Sequence, residues 1–131
     1  MHITLEADYA IRIVDLLAHQ DERADAKKIS EGTEVTLRFA LKILHKLVAG
    51  GIVKSYKGAK GGYILAKLAE QITLREVIEA VEGTYQLSRC LKEGSTCSRN
   101  TAGCSCRFQP AFDDISGIVR AKLEAITFKK V

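Results

Sequence analysis

All four cysteines of the chain lie between Cys90 and Cys106, at positions 90, 97, 104 and 106. Thiolates are soft ligands, suited to iron–sulfur clusters and to zinc. Arg89, Lys92, Arg99 and Arg107 are close in sequence, and positive charge favours the thiolate form. The spacing lacks the paired Cys-x-x-Cys knuckles of a zinc ribbon, and it differs from the common ferredoxin runs. From spacing alone, residues 84–109 read as a metal-binding or redox loop, with free or disulfide-forming thiols as the alternative. No basic-then-apolar signal pattern opens the chain. The cysteines are therefore expected in a cytoplasmic, reducing setting, where clustering points to metal or redox chemistry.

A second chemistry is carried by cations. The stretch 37–48 offers Arg38, Lys42, His45 and Lys46 on one side, and Lys57 and Lys60 border a glycine-rich turn. Arg38 can make the bidentate contact that guanine favours, and Thr36, Lys42 and Lys46 can reach bases or phosphates. Lys57 and Lys60 suit a phosphate backbone or a minor groove. The net charge of +4 is only mildly basic, so the placement of these groups matters more than their sum.

The elements that must position both sets follow from periodicity. A first helix is predicted over 5–19, with Ala10, Ile13, Val14 and Leu17 on one stripe. A short helix fits 25–30, with Gly32 as its turn. Thr33 or Thr36 can cap a third helix. That helix should bury Leu37, Leu41, Leu44, Leu47 and Val48 and end at Gly50 and Gly51. Strands at 52–56 and 63–65, joined through Lys57-Gly58-Ala59-Lys60-Gly61-Gly62, make a β-hairpin. Thr73 and Glu76 form a capping box for a fourth helix ending at Gly83. Pro110 opens a last helix. Phe112, Ile115, Ile118 or Val119, Leu123 and Ile126 lie along one side of it, and it is expected to cross onto a second subunit.

The fold class is thus mainly α with a small β-hairpin wing: a winged helix-turn-helix plus a long C-terminal dimerisation helix. The chain divides into a DNA-binding part at 1–83, a cysteine loop at 84–109 and a dimerisation helix at 110–131. A winged helix reads few bases, so a homodimer on a pseudo-palindromic double-stranded operator is expected. No apolar run approaches the ~20 residues of a membrane span. Gly58–Gly62 lacks a P-loop's Gly-Lys-Ser/Thr ending, and no nucleophile–base pair recommends an enzyme.

These residues resemble the IscR/NsrR type of winged-helix repressors, many of which bind iron–sulfur clusters. The likeness runs through 7–12, 44–47, 51–53, the wing at 57–65, the stretch 72–78 and the cysteines before the last helix. The resemblance implies three cysteine ligands to a two-iron or four-iron cluster, with a variable fourth ligand. Cys90 and Cys97 match the first two positions. Cys106 matches the third best, and Cys104 stands at nearly as good a spacing. The extra cysteine departs from the family pattern and is one candidate for the fourth ligand; Asp8, matching an N-terminal carboxylate of some members, is the other. Family wings often carry Arg and Pro where this chain has Lys57 and Ala59, and a lysine contacts as a point charge.

The leading expectation is a DNA-binding regulator, a repressor, gated by a cluster that senses iron–sulfur, redox or nitric-oxide status. A metal-free thiol switch on the same DNA-binding fold is the alternative, and an iron–sulfur electron-transfer module is a third reading that leaves the wing unexplained.

Overall fold

The structure is a computed structural model that describes residues 2–95 and 106–129. Helix α1 (Leu5–Ala18) is followed by α2 (Ala26–Thr33) and α3 (Leu37–Ala49). Strands β1 (Val53–Tyr56) and β2 (Gly62–Leu65) come next, then α4 (Leu74–Glu82) and α5 (Gln109–Glu124). Two single 3-10 turns sit at Ala69–Gln71 and Arg89–Leu91.

Each of the first four helices begins at a side chain that satisfies an otherwise orphaned N–H. Thr4 Oγ1 accepts from Ala7 N at 3.2 Å, Asp25 Oδ1 from Lys28 N at 2.8 Å, and Thr36 Oγ1 from Phe39 N at 3.4 Å. At α4 the expected capping box is complete: Glu76 N donates to Thr73 Oγ1 at 3.1 Å and Thr73 N to Glu76 Oε2 at 3.0 Å. Pro110 stands in the first turn of α5, where its missing N–H costs nothing.

One aliphatic core joins α1 to α4. Ile13, Val14 and Leu17 of α1 meet Ile29 of α2, Ile43, Leu44 and Leu47 of α3, and Val77 and Ile78 of α4, all buried. The hairpin is antiparallel, with Val53 opposite Leu65 and Tyr56 opposite Gly62. It is pinned to the chain before α2, because Ala24 N donates to Tyr63 O at 3.0 Å and Tyr63 N to Ala24 O at 2.8 Å. A Cβ on Gly62 would meet Ala24 O at 2.8 Å, and its φ is +137°. Only glycine lets the strand come this close.

Three expectations change. Helix α2 runs on through Gly32 and ends at Glu34, which takes the left-handed conformation. A Cβ on Gly32 would strike the Leu16 side chain, so this glycine serves the close approach of α2 to α1, not a turn. On α3, Leu44 and Leu47 are buried as expected, together with Ala40 and Ile43, whereas Leu37, Leu41 and Val48 are exposed. The spacing of the core is set by the 3.6-residue period of a helix lying flat on α1, and those three fall on its flank. On α5, Ser116 is the buried residue, while Ile115 and Ile118 on the apolar side named above stand exposed, as does Ile126 beyond its end, because only a narrow side of this helix meets α4 and the turn at Arg89–Leu91. Finally, α5 ends at Glu124, short of 131. The chain then returns to α4: Leu74 N donates to Ile126 O at 2.8 Å, Phe128 N to Ile72 O at 3.1 Å, and Phe128 enters the core.

Candidate nucleic-acid interface and cysteine site

Thr36, the N-cap of α3, and Arg38, two residues on, are both exposed. A recognition helix presents this N-terminal end to base edges. Lys42 and Lys46 are engaged elsewhere. Lys42 Nζ donates to Glu6 Oε1 at 2.7 Å and Lys46 Nζ to Glu6 Oε2 at 2.9 Å. Lys46 also donates to Val81 O at 3.3 Å. Glu6 of α1 therefore straps α3 in place. The two hydrogen bonds and charges hold the Glu6 carboxyl down at about 2, against an ordinary 4.5. Partial burial, reinforced by the charge of Glu6, raises the carboxyl of Glu82 nearby, while Lys46 opposes it.

Lys57 and Lys60 are exposed at the wing tip. The wing is closed by Gly61 N donating to Gly58 O at 2.9 Å. Arg23, which the sequence reading passed over, braces it. Its guanidinium carbon lies 3.5 Å from the centre of the Tyr56 ring, and Nη1 donates to Lys60 O at 3.2 Å. The signal that could have found it is the cation-bearing polar stretch before α2, which the sheet register brings back beside the wing.

The cysteine segment is tied to α5 by polar contacts. Leu87 N donates to Ser116 Oγ at 2.8 Å, and that hydroxyl donates to Phe112 O at 2.7 Å. Gln86 Nε2 donates to Leu91 O at 2.9 Å. Gln109 joins the two described thiol positions: its Nε2 donates to Cys90 O at 3.3 Å and its backbone N to Cys106 O at 3.3 Å. Cys90 and Cys106 are both half-buried, and the Cys90 thiol lies 3.2 Å from Ser88 Oγ. Cys106 lies just before the N-terminus of α5. Cys97 and Cys104 lie outside the described residues. Among the described residues no group of three His, Cys, Asp or Glu side chains could hold a metal. Asp8 is half-exposed and paired with Arg12 at 3.0 Å; Arg12 in turn donates to Thr33 O of α2 at 3.4 Å. The donors present fit a cluster in kind: two thiols gathered at the root of one helix, with two more in the segment between them.

Among the described residues, no helix is long and apolar enough to cross a membrane.

Comparison with known proteins gives a consistent picture. The family model Rrf2, described as an iron-dependent transcriptional regulator, matches residues 3–131. The transcriptional regulator NsrR of Shouchella clausii is 29% identical over 98% of this chain and 87% of its own length. The regulator IscR of Yersinia enterocolitica is 31% identical over 100% of this chain and 79% of its own. Among solved structures, IscR of T. potens superposes with a TM-score of 0.74 at 21% identity, covering 98% of this chain and 83% of that one. CymR, the global cysteine regulator of B. subtilis, gives 0.75 at 22% identity, over 98% and 93%.

Proposed function

This chain belongs to the Rrf2 family of transcriptional regulators, and on that premise we propose that it is a homodimeric, DNA-binding repressor gated by an iron–sulfur cluster on its cysteine segment. The observation that carries the reading is Gln109. One residue at the first turn of α5 holds the backbone of both Cys90 and Cys106, its side chain donating to Cys90 O and its backbone N–H to Cys106 O, so a ligand on those thiols acts directly on the helix. Cys90, Cys97 and Cys106 are the proposed ligands, with Cys104 or Asp8 completing the set. When bound, such a cluster supplies sensitivity to iron supply, oxidants or nitric oxide.

The chain's own residues then carry the change. Movement at Gln109 shifts α5, which is stitched to α4 through the Leu74–Ile126 hydrogen bond and through Glu124, 3.7 Å from Arg75. Helix α4 holds Lys46 of α3 through the Val81 carbonyl. In a two-fold dimer, small rotations of α5 reset the separation of the two α3 helices, and half-site spacing is a geometric requirement for operator binding. Thr36 and Arg38 face the bases, Lys57 and Lys60 the backbone, and Lys42 and Lys46 chiefly fix the attitude of α3. The exposed Ile115 and Ile118 of α5 supply the apolar surface for the second subunit.

The test is the visible spectrum, iron and sulfide content of protein purified without oxygen, followed by operator binding with and without the cluster. Brown protein that loses its colour in Cys90→Ala, and DNA affinity that differs between loaded and unloaded forms, is the expected result. Equal affinity in both forms would sink the switch. Colourless protein after reconstitution would favour the metal-free thiol switch, for which the fourth cysteine, Cys104 two residues before Cys106, is the observation in its support.

A further inference from the structure

We propose that Leu41, with Leu37 one turn before it, reads thymine methyl groups in the major groove beside the base contacted by Arg38. The inference rests on the DNA-binding reading above and names what the recognition helix is built to prefer.

Leu37 and Leu41 are 47% and 44% exposed. They are four residues apart on α3, so they are neighbours on one flank. The core side of the helix is Ala40, Ile43, Leu44 and Leu47. At 3.6 residues per turn, Arg38, Lys42 and His45 point away from that core, and Lys42 is drawn aside to Glu6. Phe39 and Lys46 lie on the flank facing α1, where Phe39 meets the Tyr9 ring edge-on at 6.0 Å and Lys46 meets Glu6. Leu41 occupies the opposite flank of the same outward surface, with Leu37 beside it on the side nearer the core.

A lone exposed leucine means little. Here two adjoin the exposed Arg38 at the end of the helix that enters the groove, while Lys42 and Lys46 of the same helix are held by Glu6. The outward surface is therefore less cationic than the sequence makes it look, and more apolar. In the major groove the only apolar group that distinguishes one base pair from another is the C5 methyl of thymine. Leu41 lies three residues after Arg38, a rise of about 4.5 Å, close to the ~3.4 Å separation of stacked bases. An arginine on guanine and a leucine on the adjacent thymine methyl is the pairing this spacing fits.

The experiment uses the full chain purified without oxygen. Selection from a random duplex library supplies the bound sequence. Each thymine of a half-site is then replaced by deoxyuracil, which removes only the methyl, and affinity is measured at one fixed salt concentration. Wild type should bind about fourfold more weakly when a methyl is removed from one or two thymines per half-site, next to a guanine. Leu41→Ala should bind thymine and uracil duplexes equally, while Arg38→Ala should lose affinity yet keep the methyl preference. Alanine favours helix, so both variants should match the wild-type melting curve. Equal wild-type affinity for every thymine and uracil duplex overturns the proposal, as does a methyl preference that survives in both Leu37→Ala and Leu41→Ala. A changed oligomeric state in Leu41→Ala overturns it in favour of an interface between copies. Selection that enriches no sequence at all instead overturns the DNA-binding reading on which the proposal stands.

Discussion

From Ala7 to Val81 every helix places fully buried aliphatic side chains in one core, from Ile13 and Val14 on α1 to Val77 on α4. From Gly83 to Phe108 none of the described residues is buried. Its described residues are held instead by polar contacts, among them hydrogen bonds to Ser116, Gln109 and Glu79. Apolar burial is cooperative and hard to undo locally, whereas a segment tied by a few polar contacts opens at low free energy. The difference assigns labour. The winged helix is a rigid reading head, and the described residues on either side of the cysteine loop are the more readily opened part.

The sharpest way to break that comparison is to remove apolar volume from each region. Leu44→Ala, at a fully buried position, should destabilise the protein by about 3 kcal/mol. Leu91→Ala, in the half-buried turn at Arg89–Leu91, should cost roughly 0.5 kcal/mol. Urea unfolding followed by circular dichroism measures both. Equal costs would mean that the cysteine segment belongs to the core's cooperative unit.

The wing is the next test, because it belongs to the rigid region by connection yet is exposed along its tip. A Cβ on Gly61 would lie 2.8 Å from Gly58 O and 2.9 Å from the Lys57 carbonyl carbon. Gly61→Ala must therefore open the turn, at a cost of about 2 kcal/mol. Operator affinity should fall about tenfold or more while the cluster spectrum, if present, is unchanged.

Most of the reading head was legible in the sequence because its determinants are local. Thr36, Thr73 with Glu76, Gly83 and the glycine-rich wing each act within a turn or two of themselves. The misreadings came where the determinant is a distant partner. Leu37 and Leu41 have the spacing of core residues, and nothing in the sequence says that α1 meets the other flank of α3. Lys42 and Lys46 look like free cations until Glu6, 36 and 40 residues away, is seen to hold them. Ser116, absent from the apolar side read for α5, is its buried residue, its hydroxyl accepting from Leu87 N. In the cysteine segment, residue types point to metal or redox chemistry, but the sequence there carries no period from which ligand geometry could be read.

A smaller effect separates folding from function within the head. Arg23→Ala removes the stacking on Tyr56 and the hydrogen bond to Lys60 O. An exposed cation–π contact contributes about 0.5–1 kcal/mol. Operator affinity should drop severalfold with a melting temperature almost unchanged, and Arg23→Lys should recover part of it. A matched loss of melting temperature would make Arg23 a packing residue of the fold, not a brace of the wing.

The smallest expected effect concerns the strap between α1 and α3, and its sign is fixed by the carboxyl of Glu6. That group protonates at about 2 in the folded chain, against 4.5 ordinarily. Its contribution is therefore complete above pH 4.5 and is lost as pH falls through the folded value near 2. Because the strap is partly exposed to solvent, screening leaves about 1 kcal/mol or less. Glu6→Gln should be less stable than wild type at pH 7, and the two should converge as the pH approaches 2. Glu82 works in the opposite direction: its carboxyl is raised by burial and by Glu6, so it favours folding at low pH and opposes it slightly at neutral pH. Glu82→Gln should thus gain a little stability at pH 7, and the gain should shrink when Glu6 is also replaced, since the two charges face each other. If instead Glu6→Gln tracks wild type at every pH yet binds the operator more tightly, the strap does not hold α3 in place; it withholds Lys42 and Lys46 from DNA, and the rigidity of the reading head rests on its aliphatic core alone.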